Sequence, residues 1–358
     1  MRSSAASDVY KRQIMDLAPL IEEDSSFQKD DLLDVAYSYY DEKSIDALLL
    51  SLQAYVVFYN KDLFAKAGVS EPSVDKVWTW DEFIETAKKL TLDTKGRTAD
   101  DPEFDAENIQ QYGIYINPTS STVVEPLLAR NTPSGYTSQD GAQYGLNNPE
   151  EVAFIQKLAD LINVDKVNPS PTSAQGMPSA DLSLQTGKYA MVVESQYMLS
   201  NFAKLDNLNL GIAPLPSNGN NTVLTSSGCK IIFSQTKHPK EAWELMKWLS
   251  NPEQSLELYS CGLWMPIMSE WYTDEAKVEQ WAGESKSHPA GYKEVLLKPV
   301  FENSQLSSEH RMKKYNQIKD IVFPALDKVW AGEETAEEAL NKVCLLYTSD
   351  AADDRISV

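Results

Sequence analysis

The spacing of apolar residues alternates along the chain between the period of two that is typical of strands and the period of three to four that is typical of helices. The segment "VVFYNKDLFAKAGV", residues 56–69, contains both, because an apolar strand breaks at a polar turn and continues as a short amphipathic helix. We expect this junction to be structural, with Asn60 capping the helix. A second helix start is predicted at Thr79, since Glu82 completes a capping box three residues later.

The rest of the pattern predicts strands that alternate with helices. Two short helices are expected within 14–40 and a buried strand pair within 47–59. Further strands are predicted at 112–117, 187–195, 210–217 and 229–234, and helices at 77–91, 122–131, 149–163, 238–262 and 309–342. Such alternation is typical of α/β layers with mostly parallel sheets.

The two ends of the chain differ in origin from the middle. "SSAASDVYKRQ" and "CLLYTSDAAD", at 3–13 and 344–353, are similar to translations of the two strands of a transposase adapter that is used to make sequencing libraries. We therefore expect residues 1–13 and 344–358 to be adapter-derived and not native, and 14–343 to be a fragment of a longer protein.

Length and composition limit the kinds of protein that residues 14–343 can form. Residues 14–343 exceed what one hydrophobic core usually holds, so two lobes are expected. A formal net charge of −21 argues against phosphate backbones and anionic membrane surfaces as partners. The longest apolar run, 47–59, is interrupted by Ser51 and Gln53 and is too short to span a bilayer.

The sequence contains few residues in patterns that indicate catalysis or metal binding. Cys229 and Cys261 lack metal-type spacing; buried free thiols are the favoured prediction, and a disulfide in an exported protein is the alternative. There is no nucleophile motif, metal cluster or phosphate loop, so we predict no catalytic residue, no metal and no cofactor.

Seven stretches in fixed order support a resemblance to a known family. They are "VVFYNKDLFAKAGV", "TWDEFIETAKKLT", "TGKYAMVVESQY", "LGIAPLPSNGNNTVLTSSG", "KHPKEAWELMKWLSNPEQS", "GLWMPI" and "PALDKVWAGEETAEEALNK". Together they resemble the extracellular solute-binding proteins of ABC sugar importers, the maltose-binding-protein-like family.

The resemblance implies an α/β, two-lobed, periplasmic-binding-protein-like fold. Residues 14–113 and 214–265 would form lobe 1, and 114–213 and 266–343 would form lobe 2. Lobe 1 would be incomplete, because the family has roughly one βαβ unit before the first segment that is present here.

The implied function is capture of a neutral sugar or oligosaccharide in the cleft between the lobes, for delivery to ABC permease subunits. Such a protein would be a non-enzymatic monomer outside the cytoplasm, either free or lipid-anchored, and would bind no nucleic acid. The alternative class is a carbohydrate-active enzyme of glycosidase type. An anionic ligand and a surface adhesin without a cleft function are further alternatives.

Candidate ligand contacts lie in the loops after strands, where open α/β sheets bind ligands. By resemblance, Gln53 matches a ligand-facing acidic position and Tyr197 a stacking aromatic. The full candidate set is Gln53, Tyr197, Trp264, Ser226, Ser227, Gly228, Glu194 and Asn117. The alternatives are a surface role for Gln53, a core role for Tyr197 and a hinge-packing role for Trp264.

Other residues are assigned structural roles. Trp243 and Trp248 lie in one predicted helix and are expected in the core. His310 and Arg311 could reach the rim of the cleft, but a solvated helix face is the favoured prediction.

Overall fold

The computed structural model describes residues 13–39, 44–136, 144–146, 148–312 and 315–343. Its strands are β1 (Tyr37–Tyr39), β2 (Ile45–Leu49), β3 (Gln53–Asn60), β4 (Leu92–Asp93), β5 (Ile109–Tyr115), β6 (Tyr189–Ser195), β7 (Leu210–Ala213), β8 (Val223–Ser226), β9 (Cys229–Lys230) and β10 (Ser304–Leu306).

The helices surround these strands. They are α1 (Ala18–Glu23), α2 (Lys61–Ala67), α3 (Trp80–Leu90), α4 (Ser121–Asn131), α5 (Pro149–Asn163), α6 (Pro171–Gln175), α7 (Ala180–Gln185), α8 (Leu199–Phe202), α9 (Pro239–Ser250), α10 (Leu256–Ser260), α11 (Glu270–Thr273), α12 (Glu275–Ala282), α13 (Lys298–Asn303), α14 (Ser308–Arg311) and α15 (Tyr315–Trp330). A π-helical turn, Lys293–Leu297, precedes α13, and residues 336–343 are helical.

The described strands form two sheets. One has the order β1-β2-β9, and the other has the order β10-β8-β3-β6-β5-β4, with β7 also paired to β3. Only the pairs β5–β6 and β8–β10 are parallel, whereas the other six described pairings are antiparallel. The predicted α/β class is confirmed, but the expectation of mostly parallel sheets is wrong. Hydrophobic periodicity reports which face a strand buries and carries no information about the direction of its neighbour.

Strand β3 is buried on both faces and separates two hydrophobic cores. Val57 and Tyr59 point into the first core, which holds α3, α4, α5 and α15. Val56 and Phe58 point into the second core, which holds residues 17–49 and most of 232–306. The period of two along β3 therefore supplies both cores from one strand.

The chain passes between the two cores several times. Buried residues from 17 to 54 pack in the second core and those from 57 to 167, except Phe58, pack in the first, so one change lies in β3. Strands β6 and β7 contribute to both cores, and α8 packs in the second. Two further changes lie between Leu215 and Ile232 and between Leu306 and Tyr315; we call these two and the change in β3 the three crossings. The lobe boundaries expected at 113/114, 213/214 and 265/266 stay predictions. Helix α3 and Ile114 in β5 share the first core.

The junction at the end of β3 has the predicted structural role. The Oδ1 atom of Asn60 accepts the N–H of Asp62 at 3.0 Å, and its Nδ2 donates to the buried carbonyl of Leu184 at 3.1 Å. The predicted capping box of α3 is also present, with Thr79 and Glu82 exchanging bonds at 2.8 and 3.2 Å. Both helix starts are thus confirmed.

Two glycines permit close approaches in the first core and along β3. A Cβ on Gly113 would lie 2.0 Å from the carbonyl oxygen of Ala87 in α3. A Cβ on Gly211 would lie 2.1 Å from the ring of Tyr59. Any larger residue at these positions would push α3 or the Tyr59 ring away from the sheet.

Several predicted elements are shorter than expected. The second helix expected within 14–40 is replaced by two 3₁₀ turns and β1, because Tyr37–Tyr39 pair with β2 instead of coiling. The helix predicted over 238–262 breaks at Asn251-Pro252, where proline cannot donate a helical hydrogen bond. The strand expected over 229–234 is limited to β9.

Cysteine and tryptophan burial also differ from expectation. Cys229 and Cys261 are free thiols, so the disulfide alternative is not formed, but Cys229 is exposed and Cys261 is partly exposed. Trp243 is buried as predicted, whereas 52% of Trp248 is exposed, so its assignment to the core is wrong. Trp243 and Trp248 are five residues apart in α9, so their side chains point to different sides of the helix.

Within the described residues, no helix combines the length and the apolar character that crossing a bilayer requires.

Replacing Asn60 with alanine should lower the free energy of unfolding by about 2–3 kcal/mol, since the helix loses its cap and a buried carbonyl loses its donor. Urea denaturation measures this change. Asn218→Ala is the matched control, because the Asn218 side chain is exposed, and it should change stability by less than about 0.5 kcal/mol. Equal effects of the two substitutions would show that the junction does not stabilise the fold.

Candidate functional site: a pocket where three chain crossings meet

A small pocket lies where the three crossings come together. Strand β8 joins them, because it pairs with β3 on one side and with β10 on the other. We call this space the crossover pocket; it is lined by Gln53, Tyr55, Thr122, Glu125, Pro126, Leu224, Thr225, Ser226, Ser307, Glu309 and Tyr315. Each of the three crossings therefore contributes side chains to one space.

The register of the strands brings the first two crossings into contact. Gln53 lies opposite Ser226, and Ala54 lies opposite Thr225. On the other side of β8, Leu306 is in register with Thr225. Since the side chains of a strand alternate between its faces, Gln53 and Tyr55 share one face of β3 and both reach the pocket.

Helix α4 forms a polar wall of the crossover pocket. Tyr55 Oη donates to Thr122 Oγ1 at 2.9 Å, and Thr122 Oγ1 also lies 2.9 Å from Ser120 Oγ. Burial raises the pKa of Tyr55 to about 12, so its hydroxyl stays protonated. Pro126 has no N–H to donate, which leaves the Thr122 carbonyl without its helical partner. This wall thus offers hydroxyl groups and a carbonyl that can accept further hydrogen bonds.

Two carboxylates border the pocket in contrasting environments. Glu125 is 3% exposed, and burial raises its pKa, although the backbone N–H of Ser308 donates to its Oε1 at 2.6 Å. The pKa of Glu309 is lowered, chiefly by its contact with His310. One acid is therefore held toward its neutral form and the other toward its ionised form.

His310 is part of this border and does not lie on a solvated face. Only 10% of its side chain is exposed, its Nε2 lies 3.4 Å from Glu309 Oε1, and its Nδ1 lies 3.8 Å from Cys229 Sγ. Burial alone would lower the pKa of His310, but the contacts with Cys229 and Glu309 raise it to about 9. The favoured prediction for His310 is therefore wrong. The four-residue helix α14 is packed against the crossing, with Ser308 buried and the His310 ring largely enclosed.

Contacts of the backbone and of one side chain bring the loops after β6 and before Met265 close to the crossover pocket. Tyr55 is in register with Ser195, which places the end of β6 beside the pocket. Gln196 Nε2 donates to the carbonyl of Leu263 at 3.4 Å, and the N–H of Leu52 donates to Met265 at 2.9 Å. The segments that carry the candidates Gln53, Tyr197, Ser226 and Trp264 are therefore neighbours.

The individual candidates occupy different positions within this region. Gln53 and Ser226 line the crossover pocket. Tyr197 and Trp264 are partly buried against the second core, and Trp264 packs edge-on against Tyr259 at 5.9 Å between ring centroids. Ligand contacts of these four residues stay predictions.

Three further candidates already have structural partners. Ser227 Oγ lies 3.1 Å from Ser51 Oγ, and Gly228 accepts the N–H of Leu50 through its carbonyl. Asn117 Oδ1 accepts the N–H and the hydroxyl of Thr119 at 3.2 and 2.9 Å, which makes it a turn residue. A ligand role for these three residues also stays a prediction.

Several pocket residues were missed by the sequence reasoning. Tyr55 could have been found from its position two residues after Gln53, on the same face of the strand. Glu125 could have been found as a single acid within the apolar run "VVEPLL". Tyr315 and Ser307 gave no such signal, because the third crossing brings them in from far along the chain.

Among the described residues, no group of three or more His, Cys, Asp or Glu side chains is placed to hold a metal ion.

Comparison with known families identifies the chain. The profile described as "Bacterial extracellular solute-binding protein" matches residues 5–255, which is more than half of the sequence. The chain belongs to this family. The match begins inside the flank that we predict to be adapter-derived, so the non-native origin of that flank stays a prediction.

Individual relatives of this solute-binding protein are distant. It is 24% identical over 332 residues to the sn-glycerol-3-phosphate-binding periplasmic protein UgpB of Agrobacterium fabrum, covering 89% of this chain and 70% of the relative. It is 23% identical over 340 residues to the arabinooligosaccharide-binding protein of Bacillus subtilis, covering 92% and 72%. For a UgpB of Yersinia enterocolitica, the chain spans only 62% of the relative's length.

Solved structures confirm the architecture. The ABC substrate-binding protein Lmo0181 from Listeria monocytogenes, in complex with cycloalternan, matches with a TM-score of 0.75 and 22% identity, covering 94% of this chain and 79% of that chain. The fold of this solute-binding protein is therefore the two-lobed α/β fold that the resemblance implied.

Glu194 should make the stability of this solute-binding protein depend on pH. Burial raises its pKa from 4.5 to about 7, so its contribution is fully present below pH 4.5 and is lost as the pH rises toward 7. Glu194→Gln should match the wild type near pH 4 and exceed its free energy of unfolding by about 1–2 kcal/mol at pH 8.

Thermal unfolding between pH 4 and pH 8 measures this difference. Glu85→Gln, which neutralises an exposed carboxylate on α3, is the control and should follow the wild-type profile. If the Glu194→Gln profile also runs parallel to that of the wild type, Glu194 is ionised normally in the folded state.

Proposed function

We propose that this solute-binding protein captures a neutral sugar or oligosaccharide between its lobes and delivers it to the permease subunits of an ABC transporter. The observation that carries the proposal is the crossover pocket, in which all three chain crossings present hydrogen-bonding side chains to one space. A ligand held there contacts both parts of the molecule at once.

The chemistry of the pocket suits a carbohydrate. Gln53, Thr122 and Ser226 offer an amide and two hydroxyls, and these groups both donate to and accept from sugar hydroxyls. Tyr55 and Tyr315 supply aromatic surface in the same lining, against which the C–H face of a pyranose can pack. Tyr197 and Trp264 would extend this aromatic surface toward the second-lobe loops.

A phosphorylated ligand is the less suitable alternative, although several relatives are named for sn-glycerol-3-phosphate binding. Phosphate recognition relies on arginine, lysine or clustered backbone N–H groups. Among the described residues, the lining of the crossover pocket contains Glu125 and Glu309 and no lysine or arginine. His310, the neighbour of Glu309, is engaged with that carboxylate. A neutral ligand avoids the repulsion that a phosphate would meet.

Uptake of a sugar requires movement of the two parts. The space that water can occupy in the crossover pocket is about 10 Å³, which holds roughly one water molecule and no pyranose. The crossings at 54–57, 215–232 and 306–315 link the two cores and meet at the crossover pocket. We infer that these three segments belong to the hinge between the two parts. Sugar binding would then shift an open–closed equilibrium.

Glycosidase activity is the alternative, because Glu125 and Glu309 line one pocket with their pKa values shifted in opposite directions. Two carboxylic groups flanking a glycosidic bond would be required. Glu125 is almost completely buried and its Oε1 is taken by the Ser308 N–H, so it offers little access to a substrate oxygen. Incubation should therefore return oligosaccharides intact, and an increase in reducing ends would favour the enzyme.

We further infer a site of action outside the cytoplasm and a monomeric state. The family is extracellular by its description, which supports the first inference. The surplus of acidic residues keeps copies of the chain apart by mutual repulsion and supports the second.

The direct test is calorimetric titration with a panel of neutral mono- and oligosaccharides. At least one should bind, and Gln53→Ala and Tyr197→Ala should each weaken its affinity about tenfold or more, since each removes a hydrogen-bonding or stacking group. Gln280→Ala, an exposed residue on α12, is the matched control and should leave affinity unchanged.

Two results would contradict the proposal. One is that every saccharide fails to bind while sn-glycerol 3-phosphate binds. The other is that Gln53→Ala and Tyr197→Ala bind as tightly as the Gln280→Ala control.

A further inference from the structure

A second, larger cavity lies behind the crossover pocket. It has a volume of about 350 Å³ and shares Tyr55, Pro126 and Leu224 with the pocket, so these three side chains form a common wall. Its far side is formed by the π-helical turn Lys293–Leu297 and by α13. We call this space the back cavity. Its volume is within the range of small-molecule sites, about 300–1,000 Å³.

Arg130 forms the buried floor of the back cavity. The residue is 7% exposed, and its Nη1 makes one long hydrogen bond of 3.4 Å to the carbonyl of Thr222. Its Nε is buried and has no hydrogen-bond partner, and Arg130 forms no ion pair with the residues that the structure describes. Burial lowers the pKa of Arg130 to about 10, so the guanidinium is still charged at neutral pH.

A buried, unpaired guanidinium is costly to fold around. Loss of hydration without a compensating partner destabilises the native state by more than an ordinary missing hydrogen bond. Such orphaned groups call for a specific explanation, and a planar, bidentate anion is the partner that fits the guanidinium fork. A carboxylate in the back cavity would supply a charged partner at the Nη end of the guanidinium, because Nε itself is covered by protein.

The rim of the back cavity has the opposite charge. Asp75, Glu294 and Glu302 line it from exposed positions, with Lys298 as the one basic residue among the charged rim groups. A dianion such as phosphate would satisfy Arg130 but would also face three carboxylates. A ligand with a carboxylate at its inner end and a positive group at its outer end matches both the floor and the rim.

The wall that carries Glu294 has an unusual backbone. Residues Lys293–Leu297 form a π-helical turn that continues directly into α13 through Pro299. Single π-helical turns occur frequently at functional sites, where they change the direction of side chains. Here the turn places Glu294, Val295 and Leu296 in one lining, so a charged group and an apolar surface face the same space.

We propose that the back cavity is a binding site for a small zwitterion of the α-amino-acid class, with its carboxylate on Arg130 and its ammonium group at the acidic rim. This site is distinct from the crossover pocket, and binding of the amino acid does not require a bound sugar.

The test begins with a thermal-shift panel of the standard L-amino acids at constant ionic strength. Each stabilising amino acid is then titrated by calorimetry beside its methyl ester, which keeps the ammonium group and lacks the carboxylate. At least one amino acid should bind, its ester should bind at least about tenfold more weakly, and potassium phosphate should bind more weakly than the amino acid.

Variants locate the site. Arg130→Gln should abolish binding of the amino acid, and Arg130→Lys, which keeps the charge without the fork, should weaken it about tenfold. Lys293→Gln is the matched control, because it removes a positive charge from the same π-helical turn but does not line the cavity, and it should retain full affinity. If Arg130→Gln does not fold, the affinities of Arg130→Lys and of the methyl ester still test whether the ligand's carboxylate binds Arg130.

Three results would overturn the proposal. They are binding of no amino acid, equal affinity for an amino acid and its ester, and affinity for phosphate that equals or exceeds that for the amino acid. Unchanged binding by Arg130→Lys or loss of binding by Lys293→Gln would also place the ligand elsewhere.

Discussion

The burial of β3 on both faces is the constraint on which the rest of the structure depends. This strand supplies Val57 and Tyr59 to one core and Val56 and Phe58 to the other, and it pairs with β6, β7 and β8. A shift of one residue in its register would exchange the side chains of the two cores and move Gln53 away from Ser226. The packing that stabilises both cores therefore also fixes the position of the crossover pocket.

Local features of the sequence predicted local features of the structure well. Asn60, Thr79 and Glu82 form the expected caps, and α5 matches its predicted range, 149–163. These elements depend on side chains within a few residues of one another, and their hydrogen bonds are encoded in short stretches. The regions that converge around Gln53 came from the family resemblance and not from periodicity.

Long-range features were beyond the reach of the pattern. The direction of strand pairing and the places where the chain changes core depend on contacts between segments more than one hundred residues apart, such as β3 with β8. His310 is one residue whose environment the local sequence did not predict. Its stretch, "SSEHRMKKY", is polar and is typical of a solvated helix, yet Cys229 and Glu309 enclose the ring in a place that only the third crossing defines.

Helix α4 shows how one element can border two chemically different spaces. Glu125 and Arg130 are five residues apart on it and both are nearly buried, but they do not pair with each other. Glu125 accepts a backbone N–H of α14, and burial raises its pKa, which favours the neutral form. Arg130 has no such route, because a guanidinium does not lose its proton near neutral pH and its Nε has no partner. The fold thus supplies a hydrogen-bond donor to the Glu125 carboxyl group. In contrast, the described protein groups leave the Nε donor of Arg130 without an acceptor. Since Pro126 and Leu224 belong to the walls of both spaces, any displacement of α4 against β8 changes the crossover pocket and the back cavity together.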